Sequence, residues 1–448
     1  MGTAAREHLP VIVVGAGWAG LAAAVELARQ GIPVRLLEAT RQLGGRARRV
    51  RFGEQAVDNG QHLMIGAYRD TLALLQRIGV DRTRVLHRQR LALRLRDAGG
   101  LRMALRTAPL PAPLHLLAGL LTARGLSLRD RHKALRFGRR LGGLRLAPDQ
   151  DISVEALLHS EQQTAALMQT LWRPLCLATL NTPSQHASAR VFLRVLDEAF
   201  LHLRAHSDLL VPARDLGRVL PDPCAAFLES HRVRIDLGAR VDALELRGNR
   251  VCGVRVGGQS LAARQVVIAT DARNSRRLLD GVPALATLCR RLEDLGSEPV
   301  VTLYLQFPPA VRLAGGMTGL LDGHGQWLFD RRLCGQPGLM ALVISGDGPH
   351  MTMPREALVD ALRAQLRTCF PRWPQPLSQL LVREKHATFS CRPGIDRLRP
   401  AVRTPLRGAW LAGDYTDTGL PATLEGAVRS GHACAAQLRA EELVHCRP

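Results

Sequence analysis

Residues 10–45 alternate between apolar runs and short glycine-rich segments, as in a strand, a tight turn, a helix and a second strand. Val11–Val14 is apolar throughout, which indicates a strand buried on both faces. Residues 21–30 have helical spacing, with small residues on the side that would face a sheet, and Val34–Glu38 is largely apolar again. We therefore predict one βαβ unit near the start of the chain.

Further along the chain, apolar residues switch between the periods of strands and helices. Residues 88–107 alternate as in a hairpin with its turn at Gly99-Gly100, and residues 111–205 have helical spacing almost throughout. The other predicted elements are helices at 151–172, 187–204, 355–370 and from Glu425, a meander at 233–270 that ends in a buried strand at 265–269, and strands at 299–307, 339–346 and 409–412.

The composition is that of a globular protein, with 46% hydrophobic and 22% charged residues. A length of 448 residues allows two or three domains. The nine cysteines, from Cys176 to Cys446, are scattered without CxxC spacing. We therefore expect no metal site and no redox pair, but small buried side chains in a cytoplasmic protein. The polar residues 1–10 and the lack of a long apolar run predict neither a signal peptide nor a membrane span.

The net charge of +22 comes almost entirely from arginine. Aromatic residues make up only 4%, so the interleaved basic and aromatic pattern of nucleic-acid binding is missing, and we expect no nucleic-acid partner. The apolar residues 114–121 precede a strongly basic segment that extends to Arg140. This segment is typical of a helix that dips into an anionic membrane surface. An amphipathic core helix with a solvated basic face would have the same pattern.

A glycine motif of the form GxGxxG, Gly15-Ala16-Gly17-Trp18-Ala19-Gly20, directly follows the first predicted strand. The first glycine permits the tight turn, the second lets the backbone approach a pyrophosphate, and the third lets helix and strand pack closely. Free N–H groups at the helix N-terminus would face the phosphates. Glu38 ends the second strand, where a carboxylate can accept hydrogen bonds from both ribose hydroxyls.

Two further elements favour FAD over a nicotinamide dinucleotide. The first is Gly44-Gly45-Arg46, which combines close backbone approach with a bidentate positive charge beside a pyrophosphate. The second is Gly413-Asp414 after the strand at 409–412, where the carboxylate can bind hydroxyls on the ribityl or pyrophosphate side. The helix that follows would direct its N-terminus toward the pyrimidine edge of a flavin.

With these motifs, the chain resembles the flavin amine oxidase and phytoene desaturase superfamily over essentially its whole length. The segments at 58–68 (DNGQHLMIGAY) and 411–427 (LAGDYTDTGLPATLEGA) most resemble the squalene-associated FAD-dependent desaturases, which act as hydroxysqualene dehydroxylases in bacterial hopanoid biosynthesis. Where tryptophan often follows the Gly-Asp pair, this chain has Tyr415. By resemblance, the flavin nucleotide would also contact Ala39, Gln61, His62, Val241, Pro421, Ala422, Thr423 and Glu425.

The implied fold is α/β: a discontinuous Rossmann-like FAD-binding domain, formed by a parallel sheet and a β-meander, and a substrate domain of mixed sheet and helices. The strands at 265–269 and 409–412 would return to the first sheet. We assign residues 1–85, 208–285 and 401–448 to the FAD-binding domain. Residues 86–207 would form a helical region that faces substrate or membrane, and residues 286–400 the sheet and helix of the substrate domain.

The resemblance implies that the hydroxyl of hydroxysqualene is removed reductively by hydride from N5 of reduced flavin. The leaving hydroxyl needs a proton donor, for which His62 is the first candidate, followed by Asp58 and Tyr415. Because the chain has no second GxGxxG, the electrons would come from an external donor, either a nicotinamide or a flavin or ferredoxin reductase. The expected location is the cytoplasm, peripheral to the inner membrane.

Two other functions are compatible with the same fold. A carotenoid or phytoene-type desaturase would run the flavin in the opposite direction on a polyprenoid, and the cofactor motifs do not separate the two directions. A non-catalytic prenyl-binding protein, as in the Rab GDP-dissociation inhibitors, could lose its FAD contacts. Glu38, Arg46 and Asp414 are all retained here, which disfavours such a protein.

Overall fold

The computed structural model describes residues 9–445. The polar residues 1–8 and Cys446 lie outside the described residues. The strands in chain order are β1 (Val11–Val14), β2 (Val34–Glu38), β3 (Arg49–Phe52), β4 (Gln55–Asp58), β5 (Met64–Ile65), β6 (Leu86–Gln89), β7 (Ala92–Asp97), β8 (Gly100–Arg106), β9 (Leu209–Pro212), β10 (Arg234–Leu237), β11 (Val241–Leu246), β12 (Val251–Val256), β13 (Gln259–Ala262), β14 (Gln265–Ile268), β15 (Glu298–Gln306), β16 (Met317–Leu320), β17 (Trp327–Asp330), β18 (Leu339–Ser345), β19 (Ser378–Thr388) and β20 (Ala409–Leu411).

The helices connect these strands and cover the sheets. They are α1 (Trp18–Arg29), α2 (Arg69–Arg77), α3 (Arg82–Val85), α4 (Leu114–Leu121), α5 (Leu128–Arg140), α6 (Val154–Ser160), α7 (Ala165–Leu167), α8 (Arg173–Leu180), α9 (Ala189–Phe200), α10 (Leu216–Val219), α11 (Pro221–Ser230), α12 (Ala272–Leu279), α13 (Ala286–Asp294), α14 (Arg355–Cys369) and α15 (Leu424–His445), with a π-helical turn at Met168–Trp172 between α7 and α8. Among the described residues, no helix is both long enough and apolar enough to cross a bilayer.

The first layer is a parallel sheet with the strand order β10-β2-β1-β14-β20. Its strands come from widely separated parts of the chain, as the sequence predicted for the returning strands at 265–269 and 409–412. Along β1, Val11 and Val13 pack into the core on one face, and Ile12 and Val14 pack into the core on the other. Burial on both faces explains why this strand is apolar at every position.

The second layer is a mixed sheet with the order β19-β15-β18-β17-β16-β7-β8. Its side chains alternate between two environments, as strand geometry requires. Leu342 and Ile344 of β18 pack in the core that includes α14, whereas Val343 and Ser345 line a large cavity. The hairpin β7-β8 completes this sheet through the parallel pairing of β7 with β16. The expected α/β fold, with a parallel sheet, a meander (β11-β12-β13) and a mixed sheet, is confirmed.

Several local predictions were wrong. The helix expected at 21–30 begins at Trp18, because Gly17 is its N-cap and the end of the glycine motif forms its first turn. The strand at Arg234–Leu237, expected in the meander, pairs in parallel with β2 at the edge of the first sheet. Its neighbouring turn signals did not indicate this long-range partner. The hairpin turn lies at Ala98-Gly99, one residue before the expected position.

The helix expected at 151–172 is broken into several pieces. After α6, Gln162 has a positive φ of 56°, which no helix interior accommodates. Thr164 then caps a new helix by accepting a hydrogen bond from the Leu167 N–H. The apolar spacing continued across this break because both sides face the same core.

Candidate functional site

The glycine loop and the Gly44-Gly45 segment meet at the C-terminal end of the parallel sheet. Gly15 has φ +103°, and its N–H donates to the Leu37 carbonyl at 2.7 Å. A Cβ on Gly20 would overlap the Gly15 carbonyl oxygen, and a Cβ on Gly45 would lie 3.1 Å from the Gly17 Cα. These contacts create a cradle of bare backbone in front of the α1 N-terminus, where a phosphate can approach the free N–H groups.

Glu38 lies beside this cradle and has an organising role of its own. One carboxylate oxygen accepts a 2.8 Å hydrogen bond from the Ala16 N–H, and the other accepts one from the Thr40 N–H at 2.8 Å. The Thr40 hydroxyl also donates to that second oxygen, at 3.0 Å. A carboxylate offers about four acceptor positions, so about one remains for a ribose hydroxyl. Ala16 and Gly20 do not line the cavity, whereas Gly17, Trp18 and Ala19 do.

Arg46 and Asp414 lie in contact although 368 residues separate them in the chain. The Arg46 guanidinium donates to Asp414 Oδ1 at 2.6 Å and to the Ala387 carbonyl at 2.6 Å. Burial acts to lower the pKa of Arg46, but the Asp414 carboxylate outweighs it and raises that pKa. Arg46 of one predicted flavin motif and Asp414 of the other therefore form an ion pair on the cavity wall.

The loop that contains Asp414 is held from behind by Arg399, which the sequence analysis missed. This side chain is 2% exposed and donates to the carbonyls of Asp414 at 3.0 Å, Thr416 at 3.0 Å and Leu420 at 2.6 Å. Burial lowers its pKa. No local motif surrounds Arg399, so only the tertiary structure shows that it shapes the loop.

The three predicted catalytic residues occupy different environments. His62 lines the cavity, and its Nδ1 lies 2.7 Å from the Gly60 carbonyl oxygen. Burial lowers the pKa of His62, partly opposed by the Asp58 carboxylate. Asp58 and Tyr415 do not line the cavity. Asp58 accepts from the Leu216 N–H at 2.7 Å and pairs with the buried Arg331 at 3.3 Å.

Tyr415 is equally enclosed. Its hydroxyl lies 2.9 Å from Ser275 Oγ, and burial raises its pKa. Neither Asp58 nor Tyr415 can reach a ligand in the cavity without a rearrangement, so His62 is the stronger candidate of the three.

Arg331 is a second arginine that sequence reasoning missed. It donates to Gln61 Oε1 at 2.6 Å as well as to Asp58, and the Tyr304 hydroxyl donates to the Asp58 carbonyl at 2.8 Å. These bonds fix the 58–62 loop against the mixed sheet. The loop was predicted, but its partners lie more than 200 residues away.

The remaining predicted cofactor residues mostly line the cavity: Ala39, Gln61, Val241, Pro421, Ala422 and Thr423. Glu425 also borders the cavity, but its carboxylate accepts from the Asp70 and Thr71 N–H groups at 2.8 and 2.9 Å. Burial raises the pKa of Glu425, against the effect of these hydrogen bonds. Its side chain therefore anchors the start of α2 instead of pointing to a ligand.

Asp271, Arg273 and Asn274 also line the cavity and were not predicted. They lie shortly after the end of β14, and Asp271 caps α12 by accepting from the Asn274 N–H at 3.0 Å. The signal was present in the sequence, because residues at the carboxyl ends of parallel strands gather where ligands bind.

The cavity has a volume of about 1060 Å³ and a two-part lining. Its polar part contains the glycine cradle, Glu38 and the Arg46–Asp414 pair. Its other part is apolar, with residues such as Leu93, Phe200, Trp327 and Val343. The volume lies at the upper end of the range of ordinary ligand sites, about 300–1,000 Å³. The cavity is therefore large for a single small ligand, and its two parts suit ligands of different polarity.

Comparison with known proteins agrees with this geometry. The family model for flavin-containing amine oxidoreductases matches residues 18–439. Hydroxysqualene dehydroxylase from Rhodopseudomonas palustris is 30% identical over 444 residues, covering 95% of this chain and 97% of that protein. Zeta-carotene desaturase from Capsicum annuum is 25% identical over 480 residues, covering 96% of this chain and 81% of that protein.

Solved structures show the same fold. Cyclohexylamine oxidase from Brevibacterium oxydans has a TM-score of 0.71 and 18% sequence identity, and covers 97% of this chain and 99% of that chain. The glycine cradle, the paired charges and these similarities agree on one cofactor. The prediction that the protein uses FAD is confirmed.

Proposed function

Because the chain belongs to the flavin-containing amine oxidoreductase family and is an FAD-dependent oxidoreductase, we propose that it converts hydroxysqualene to squalene in bacterial hopanoid biosynthesis. The observation that carries this proposal is one continuous cavity with a nucleotide-binding end and a large apolar end. Relatives that act on hydroxysqualene, by their names, align with nearly the whole chain.

The cofactor would be held by the elements that meet in the cavity. Glu38 would bind the adenosine ribose, the backbone of Gly17 and Gly45 would approach the pyrophosphate, and Val241 would lie at the adenine. Arg46 and Asp414 would fix the flavin side. When bound and reduced, FAD supplies a hydride.

In the proposed reaction the allylic C–O bond breaks, the hydroxyl takes a proton and leaves as water, and a hydride takes its place on carbon. His62 is the proposed proton donor. In the neutral ring, Nδ1 would carry the proton that the Gly60 carbonyl accepts at 2.7 Å. Nε2 is then the nitrogen that gains a proton and gives it to the hydroxyl.

The apolar lining has a chemical role as well as a binding role. A cation that forms as the hydroxyl leaves would react with water, so the site has to exclude it. Leu93, Phe200, Trp327 and Phe329 supply an apolar wall. The same wall suits the hydrocarbon chain of a polyprenoid.

A membrane surface is the proposed source of this lipid substrate. Leu114, Leu121 and Leu128 of α4 and α5 are 52%, 53% and 82% exposed. Arg124 and Arg129 lie exposed beside them. Exposed leucines flanked by arginines suit the interface of an anionic leaflet, on which the protein would sit peripherally. The buried Ala134 and Phe137 of α5 show that this helix also packs in the core.

The reductant is proposed to be external, either a nicotinamide or a reductase protein carrying flavin or iron–sulphur groups. The glycine motif at 15–20 has no second copy in the sequence. Each turnover consumes one hydride equivalent, so the cofactor has to be reduced again before the next substrate reacts.

A carotenoid-type desaturase is the second candidate. It is favoured by the zeta-carotene desaturases that align with 94–98% of the chain. The cavity geometry suits either lipid, so the direction of electron flow has to be measured. A non-catalytic prenyl-binding protein is a remote third candidate, because the pairs formed by Glu38, Arg46 and Asp414 are intact.

The two enzymatic candidates are separated by supplying each substrate to the purified FAD-loaded protein. We expect hydroxysqualene with a reductant to yield squalene, identified by mass. We expect phytoene with an electron acceptor to remain unchanged. Desaturated phytoene without squalene formation would instead establish the second candidate.

A further inference from the structure

A second, smaller void lies beneath the hairpin β7-β8, among α4, α5, α8, α9 and the π-helical turn. Its volume is about 40 Å³, and its lining exposes no polar surface. We call it the distal void. It is lined by Leu91, Leu93, Leu105, Leu116, Leu120, Ala134, Phe137, Gly138, Leu141, Leu171, Trp172, Leu175, Leu196 and Phe200.

The distal void adjoins the apolar end of the main cavity. Five residues line both spaces: Leu91, Leu93, Leu175, Leu196 and Phe200. The two spaces therefore share part of their wall. All five shared side chains are apolar, so no charged or hydrogen-bonding side chain belongs to this common wall.

The far wall of the distal void is built more rigidly than this boundary. Phe137 and Trp172 meet edge to face, with ring centroids 5.2 Å apart and an interplanar angle of 82°. The Trp172 indole N–H donates to Gln163 Oε1 at 2.8 Å, which fixes the ring. A chain that entered from the main cavity would stop against this wall.

The backbone at this wall is unusual. Leu171 and Trp172 lie in the π-helical turn Met168–Trp172. Such turns are rare and occur frequently at functional sites. The distal void is about the size of one water molecule, and an apolar void of this size stays dry. The π-helical turn in its wall and the residues that it shares with the main cavity distinguish it from ordinary packing gaps in the core.

We propose that the distal void is a chain-end pocket, which receives the terminal isoprenoid unit of the substrate and so selects for chain length. This inference rests on the proposed polyprenoid substrate. The volume of about 40 Å³ is close to the ~30 Å³ that one water molecule occupies in the liquid, so the resting void is smaller than an isoprenoid unit. The methyl-bearing end of the chain would therefore enter as the side chains shared by the two spaces turn aside.

The test fills the pocket and measures lipid binding without turnover. Ala134 is fully buried on α5 and lines the distal void, so Ala134→Leu places extra volume there. Gly143→Leu is the control, because a side chain at Gly143 meets nothing within 4 Å. The probes are squalene and the shorter farnesol, titrated into FAD-loaded protein by quenching of intrinsic tryptophan fluorescence.

If the chain end enters the distal void, Ala134→Leu should raise the Kd of squalene at least about tenfold. The Kd of the shorter farnesol should stay within about twofold of the wild-type value. Gly143→Leu should change neither. An unchanged squalene Kd in a folded, yellow Ala134→Leu protein would overturn the pocket and leave the proposed function standing. Wild-type protein that binds no squalene would instead overturn the proposed function.

Phe137→Leu enlarges the distal void instead of filling it, and it tests the proposal independently if Ala134→Leu does not fold. Shortening this side chain enlarges the far end of the pocket. We expect the ratio of affinities for phytoene and squalene to rise at least about threefold in favour of the longer phytoene. An unchanged ratio would contradict a role for this space in chain length.

Discussion

At the scale of single residues, Arg331 and Arg399 are enclosed charges that shape the cavity. They are 1% and 2% exposed, and each holds one loop of the site through several hydrogen bonds. A guanidinium suits this position because its five donors lie in a fixed plane. The site is therefore positioned by charges that do not themselves line the cavity.

His62→Gln tests the proposed proton donor. Glutamine retains polarity but cannot deliver a proton, so we expect FAD to stay bound and turnover to fall at least about tenfold. The measurement is kcat with hydroxysqualene, alongside the flavin content of the purified protein. The exposed His87→Gln is the control and should turn over normally. Undiminished turnover in His62→Gln would exclude the role.

The pH dependence of turnover is a second test of the role of His62. Burial lowers the pKa of His62, so its protonated form is populated below the ordinary value of about 6.5. A reaction that needs protonated His62 therefore slows as pH rises through that lowered pKa and is fastest on the acidic side. This decrease in rate with rising pH should be absent from the residual activity of His62→Gln. The same decrease in the variant would show that another group titrates.

The sequence predicted the residues with local signatures and missed those defined by distant partners. Gly17, Glu38 and Gly45 could be predicted because a turn, a strand end and a loop each leave a recognisable pattern. Arg331 could not be predicted, because its role depends on contact with Asp58, which lies 273 positions away in the chain. The same limit applies to Asp58: its motif was recognised in the sequence, but the arginine that pairs with it was not.

At the scale of elements, two glycines at the start of α1 have different roles: one leaves space for a ligand, and the other is required by packing. Gly17 has φ −72°, and a Cβ there would meet only the Gly45 Cα, at 3.9 Å. Gly20 has no such space, because its Cβ would overlap the Gly15 carbonyl oxygen. Gly17, the second glycine of the motif, therefore leaves space in which a ligand can approach the backbone. Gly20, the third, packs too closely against the Gly15 backbone to carry a side chain.

Gly17→Ala and Gly20→Ala should consequently fail in different ways. We expect Gly17→Ala to fold with an unchanged Tm as apoprotein but to bind FAD at least about tenfold more weakly, because its methyl group occupies the approach to the pyrophosphate. Gly20→Ala should lower the Tm of the apoprotein. Calorimetry and FAD titration measure both quantities. Normal FAD affinity in Gly17→Ala would contradict the assigned cradle.

The leucines of α4 and α5 permit a test of membrane contact that spares the core. Replacing Leu114, Leu121 and Leu128 together with serine should weaken binding to anionic liposomes at least about tenfold, because apolar area no longer enters the interface. Leu377→Ser, at a site 70% exposed elsewhere on the protein, is the control. Flotation with liposomes measures the change. Equal flotation of the triple variant and wild type would refute this surface.

At the scale of the whole molecule, the chain returns to one sheet after long excursions. β1, β14 and β20 are neighbours in space although Leu411 lies 400 positions after Val11. The sequence predicted this return because the segments at 265–269 and 409–412 are short, apolar strands like the first one. It did not predict how the mixed sheet and the helices enclose a single cavity, which depends on packing between segments.

That enclosure gives the proposed function its physical basis. One cavity joins a charged nucleotide site to an apolar chamber, with His62 in its lining. A lipid alcohol in the chamber would place its hydrocarbon chain on leucine and aromatic side chains. Water would be excluded while the C–O bond breaks.

The most direct measurement is an anaerobic single turnover. The protein is loaded with FAD, reduced chemically, freed of excess reductant and mixed with hydroxysqualene. We expect flavin absorbance to return to the oxidised spectrum as squalene forms in equal amount. A flavin that stays reduced while hydroxysqualene is recovered intact would contradict it.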